Sequence, residues 1–113
     1  MKVDKITKSW KFDTSVSDIF DRHIKESIPA YNEFQQIILE LSDYFCVDGS
    51  AVLDLGCSLG ETVNNINIRH GDKLINITGI DNSESMVNKT IDRFKNNSNI
   101  HIRLCDCVDF FCY

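Results

Sequence analysis

The stretch Ala51-Val52-Leu53-Asp54-Leu55-Gly56-Cys57-Ser58-Leu59-Gly60-Glu61-Thr62 constrains this chain more than any other. A short apolar run enters a turn with glycines at 56 and 60, and a polar, helix-compatible segment follows. Val52, Leu53 and Leu55 suit a strand buried on both faces. Gly56 and Gly60 suit a turn where backbone passes close to a ligand. A helix opening near Gly60 would aim its unpaired N–H groups above the strand end. That crevice is where open α/β sheets hold ligands.

The flanking sequence reads as the rest of such a sheet. Residues 1–14 alternate Lys with apolar residues and read as an N-terminal arm, with Trp10 and Phe12 as anchors. Residues 15–46 form a helical lead-in. Ser15 and Asp18 approximate a capping box, and Val16, Ile19, Phe20, His23 and Ile24 recur at helical spacing, predicting a helix over 16–27. His23 lies on its apolar face as a core histidine. Pro29, the only proline, breaks this helix and suits the first position of the next. Phe34, Ile38, Leu41 and Phe45 then predict a helix over 29–45. Residues 47–113 read as half of a Rossmann-like domain. Its strands are 51–55, 75–81 and 100–105. A helix follows Gly60, and another is capped by Ser83 and lined by Met86, Val87, Thr90, Ile91 and Phe94. Two helices followed by β-α-β-α-β predict an α/β fold with parallel strands.

Composition narrows the function classes. The chain has 113 residues and is 42% hydrophobic, enough for one small domain with a core. No apolar run approaches the ~20 residues of a membrane span, and no signal peptide is legible. The net charge of −5 gives no electrostatic footprint for nucleic acid. The five cysteines do not form a redox Cys-x-x-Cys or a zinc-ligand spacing. They read as buried, reduced thiols in a cytoplasmic protein. No metal site is expected.

Three α/β cofactor turns compete for the glycine stretch. A P-loop needs Gly-Lys-Ser/Thr, but Gly60 is followed by Glu61 and Thr62. A dinucleotide fingerprint needs Gly-x-Gly-x-x-Gly, and Ser58 and Glu61 break it. A nucleoside without pyrophosphate remains. Asp54 and Glu61 are tolerable beside a cation. Asp81 ends the second strand, where a carboxylate can accept from both ribose hydroxyls. Asp106 ends the third, in reach of an adenine edge. This pattern fits a cationic adenosine such as S-adenosylmethionine. Asp81 could instead serve only the helix capped by Ser83, and Asp106 could simply be solvated.

These residues carry a family resemblance. Leu53 to Gly60, with Gly79-Ile80-Asp81-Asn82-Ser83 and Met86, resemble the class I S-adenosylmethionine-dependent methyltransferases. The lead-in Phe12-Asp13, Val16, Ile19-Phe20, His23-Ile24, Ser27-Ile28-Pro29 and Tyr31 looks like that of the carboxy-S-adenosylmethionine synthase group. The resemblance implies a partial Rossmann-like methyltransferase fold. It also implies S-adenosyl-L-methionine as cofactor, prephenate as small-molecule substrate, and a product used as carboxymethyl donor in tRNA wobble-uridine modification. By position, it implies that Tyr31 reaches the sulfonium or carboxylate region and that Gly56, Cys57 and Ser58 line the methionine part. Asp81 and Asn82 would hold the ribose, and Asp106 and Cys107 the adenine. No catalytic residue is named. The family pattern continues beyond the strands present here, so the resemblance implies an N-terminal half incomplete for catalysis. The first strand is left as an open edge that expects a second copy or the missing half. A methyltransferase with another acceptor, or a non-catalytic binding remnant, stays open at this level.

Overall fold

The computed structural model describes residue 22 and residues 26–111. Glu26 and Ser27 are helical. Otherwise the arm and the helix expected over 16–27, with His23, Trp10 and Phe12, lie outside the described residues. Seven elements follow: α1 (Tyr31–Ser42), β1 (Ala51–Leu55), α2 (Glu61–Arg69), β2 (Asn76–Asp81), α3 (Glu84–Arg93), β3 (Ile100–Leu104) and α4 (Cys107–Phe110). The three strands pair in the order β1-β2-β3, all parallel.

Parallel crossovers are as a rule right-handed, so two that step in the same direction put their helices on one face of the sheet. The packing agrees. Val52, Ile77 and Ile100 are register neighbours and therefore share a face. They cluster with Val63 and Ile66 of α2, Phe94 after α3 and Leu39 of α1. Ile77 is fully buried at the centre. Gly79 sits on this face because a Cβ there would lie 3.0 Å from the Cys57 sulfur and from Ile102 Cδ1. The close approach of the turn to β2 therefore requires a residue without a side chain.

Polar ties lock the helices to each other. Buried His70 meets Ser42 Oγ through Nε2 at 2.7 Å and Lys73 Nζ through Nδ1 at 3.0 Å. Arg69 makes a two-pronged contact to Asp43, at 2.8 and 2.7 Å. That guanidinium holds the Asp43 carboxyl below its ordinary range.

Several expectations change here. Pro29 lies in the turn ahead of α1 rather than at its first position, because Ala30 takes a left-handed φ of 59° and resets the chain direction. The Phe34, Ile38, Leu41 and Phe45 stripe is exposed, and Leu39 makes the core contact instead. β1 is not buried on both faces: Leu53 and Leu55 remain 39% and 44% exposed. No described helix covers their face, and β1 stands at the sheet edge. On that face, Ala51, Asn76, His101 and Arg103 are also exposed, while Ile80, in register with Leu55 and Arg103, is buried. Ser50 O accepts from Asn76 and Gly56 N–H donates to Ile80 O, so β1's even-numbered residues address β2. By alternation, Ala51, Leu53 and Leu55 turn their N–H and C=O groups to the free edge. An apolar groove of about 450 Å³ runs beside that edge, lined in part by Ile38, Leu41, Phe45 and Val52. The cysteines also differ from expectation: Cys46 and Cys57 are buried, but Cys107 is exposed because α4 packs little against the sheet.

Candidate functional site

The turn after β1 is built by β2. Gly56 and Cys57 both donate N–H groups to Ile80 O, each at 2.8 Å. Ser58 then takes a φ of 51°, left-handed for a non-glycine residue. Such a conformation persists only where neighbours over-determine it. Here the Ser58 N–H donates to Asp81 Oδ2 at 2.9 Å, and the Ser58 carbonyl accepts from Thr90 Oγ1 at 2.7 Å. Gly60 closes the turn with N–H to Cys57 O at 2.8 Å and a φ of 83°. A Cβ on Gly60 would stand 2.5 Å from Phe94 Cε2. Both its conformation and its contact with Phe94 therefore demand glycine. The turn opens α2, whose Glu61 pairs with Arg93 at 3.6 Å.

Asp81 divides its carboxylate between two backbone donors. Oδ2 takes Ser58 N–H, and Oδ1 takes Ser83 N–H at 2.9 Å. Ser83 in turn caps α3 by accepting from Met86 N–H. Each carboxylate oxygen keeps a second acceptor position. Asp54, one strand over, is half-buried, and both its desolvation and the neighbouring Asp81 charge raise its carboxyl above the ordinary range. Among the described residues no cation pairs with either carboxylate. The Cys57 thiol between them is pushed up to about 12 by burial, Asp54 and Asp81. It is a lining residue rather than a nucleophile.

The structure therefore brings Gly56, Cys57, Ser58 and Asp81 into one hydrogen-bonded unit, with Asn82 exposed beside it. Tyr31 begins α1, half-buried. Its hydroxyl accepts from Gln35 Nε2 at 3.4 Å, and Gln35 also reaches Thr62 and Asn65 on α2. Asp106 and Cys107 stand past the end of β3. Cys105 N–H donates to Asp81 O, which ties this segment to β2. Asp106 itself caps α4 by accepting from Val108 N–H, and Cys107 is exposed. Gln35, Thr90 and Arg93 are absent from the sequence-based site. Gln35 follows Tyr31 by one helical turn, a spacing that could have suggested it. Thr90 and Arg93 carried only the signal of a helix face.

The fold is a partial Rossmann-like one, of the kind found in S-adenosylmethionine-dependent methyltransferases. The N-methyltransferase NodS from Bradyrhizobium japonicum WM9, solved with S-adenosyl-L-homocysteine, superposes with a TM-score of 0.56 at 21% identity, over 71% of this chain and 38% of NodS. In sequence, the chain is similar to carboxy-S-adenosyl-L-methionine synthases. It is 41% identical to that of Haemophilus ducreyi (strain 35000HP / ATCC 700724) over 78 residues, 69% of this chain and 32% of the relative. It is 33% identical to that of Shewanella sp. (strain W3-18-1) over 103 residues, 91% of this chain and 40% of the relative. The chain thus spans about a third to two fifths of the length of the curated relatives it matches. No family model matches.

Proposed function

We propose that the turn at 56–60 with Asp54 and Asp81 binds S-adenosyl-L-methionine. The observation that carries this reading is the pair of carboxylates at adjacent strand ends, with which no cation among the described residues pairs. A sulfonium and an ammonium group placed there would offset the desolvation and the Asp81 repulsion that together raise Asp54. The second acceptor positions of Asp81 would take the ribose hydroxyls, with Asn82 beside them. Gly56, Cys57 and Ser58 would line the methionine chain, and Tyr31 would close over the sulfonium end. Asp106 and Cys107 would meet the adenine.

The whole protein would then be a transferase of the carboxy-S-adenosylmethionine synthase type, with prephenate as its second small-molecule substrate, acting in the cytoplasm. Its product would serve as a carboxymethyl donor for tRNA wobble-uridine modification. Such an enzyme works mainly by positioning its two substrates beside the sulfonium carbon. Isothermal titration of the full-length protein with S-adenosyl-L-methionine tests the binding. Saturation at or below millimolar ligand is expected, and silence at millimolar ligand would sink the reading. Mass spectrometry after incubation with prephenate separates a carboxylated product from simple methyl transfer.

The free edge of β1 and the uncovered Leu53–Leu55 face favour a second polypeptide surface at that side, from a second copy or a counterpart of the relatives' remaining length. Parallel sheets rest with both faces covered. Light scattering on the purified chain would report a dimer or a monomer.

A further inference from the structure

The geometry points to Thr90 as a positioning residue that sets donor affinity through the backbone of the glycine turn; this rests on the donor-binding reading above. Thr90 is fully buried in the middle of α3 and touches no proposed ligand-binding side chain other than through Ser58. Its hydroxyl lies 2.7 Å from Met86 O, the usual back-bond of a helical threonine, and 2.7 Å from Ser58 O. One hydroxyl has one proton to give. Met86 O is already served by the helix ladder. Among the described residues, the other donor to Ser58 O is the weak Cys57 thiol at 3.9 Å. The proton is therefore worth more on Ser58 O.

That bond completes a clamp on a strained residue. Ser58, at a φ of 51°, is held by Asp81 at its N–H and by Thr90 at its C=O. The next carbonyl, Leu59 O, accepts from Arg93 Nη1 at 2.8 Å. The helix after β2 thus grips two successive carbonyls of the turn after β1. The Thr90 methyl packs against the same turn, 3.1 Å from where a Gly60 Cβ would stand. Without the hydroxyl, the Ser58–Leu59 peptide loses one of its holds, and the left-handed φ of Ser58 that presents its N–H to Asp81 is less firmly fixed.

The test separates the hydroxyl from the methyl. Thr90→Val keeps the shape and removes the donor, whereas Thr90→Ser keeps the donor and removes the methyl. In the full-length protein, Thr90→Val is expected to raise the Kd for S-adenosyl-L-methionine by about tenfold, the scale of one lost buried hydrogen bond. It is also expected to speed amide exchange at Ser58 and Gly60 in the ligand-free state. Thr90→Ser should stay within about twofold on both measures. Wild-type values for Thr90→Val, or equal loss in the two variants, would overturn the proposal. If the wild type binds no S-adenosyl-L-methionine, the donor reading fails by itself, and exchange at Ser58 still decides whether Thr90 fixes the turn. If Thr90→Val does not fold, Thr90→Ala set against Thr90→Ser carries the same comparison.

Discussion

The two sides of the candidate site are built to different standards. At the β1–β2 side, Ser58 N–H, Ser58 C=O, Leu59 C=O and both oxygens of Asp81 are each tied down. Three separate elements contribute, and the residues beneath are buried. At the β3 side, the Asp106 carboxylate makes one hydrogen bond, two residues along the chain, and Cys107 is exposed on a four-residue helix. The first side can hold a shape before a ligand arrives, so less ordering remains to be done on binding. The second side has the residue types but little that fixes them. Affinity should therefore depend steeply on the turn and weakly on Asp106.

The largest effect should come from Gly60→Ala. The new Cβ meets Phe94 and forces a left-handed φ on alanine, so a loss of about 3 kcal/mol or more is expected in denaturant unfolding. A loss under about 1 kcal/mol would mean that the turn is softer than its packing suggests. Next, Asp81→Ala leaves two backbone donors unmatched. It should weaken S-adenosyl-L-methionine binding about a hundredfold by titration.

Asp54→Asn sharpens the comparison because two readouts should move in opposite directions. The Asp54 carboxyl is raised by burial and by Asp81, so the folded state holds its proton more tightly than the unfolded chain does. Ionisation therefore costs stability as pH rises above the ordinary carboxylate range, and at neutral pH the asparagine variant should melt higher. Its affinity for the cationic donor should fall about tenfold, since one attractive carboxylate is gone.

Cys57 gives a pH test of the same buried side. The thiol is raised from 9.0 to about 12 in the fold, by burial first and then by Asp54 and Asp81. Below pH 9.0 both states hold the proton; between 9.0 and about 12 the unfolded chain loses it first. Stability should therefore decline as pH climbs through that window and be insensitive to Cys57 below it. At neutral pH, iodoacetamide mapped by mass spectrometry should label Cys107 well before Cys57. The smallest effect belongs to Asp106→Ala. Loss of its cap should cost about 0.5–1 kcal/mol or less, and a change in affinity beyond about fivefold would show that the β3 side is better built than its contacts imply.

Much of this was legible in the sequence because it is local or periodic. Alternation located β3, helical spacing located α1 and α3, and Ser83 announced its cap. The P-loop and dinucleotide motifs could be excluded at Glu61 and Ser58 without any structure. The apolar stripe of α1 misled, because periodicity shows that a face is apolar but not whether anything covers it. Leu53 and Leu55 misled for the same reason. Glu61 read only as tolerable beside a cation; it pairs with Arg93, a residue 32 positions away that no local pattern connects to it.

The sequence by itself determined the element types, their order and the polar residues at the strand ends. Those follow from backbone preferences and from chemistry that acts within a few residues. Only the tertiary structure decided which groups hold the turn. The parallel register sets Leu55 beside Ile80, carrying Ser58 onto Asp81, and the crossover returns Thr90 and Arg93 of α3 to the carbonyls of Ser58 and Leu59. A hydrogen bond across 23 or 32 residues depends on how the chain closes in space, and no local propensity encodes that closure.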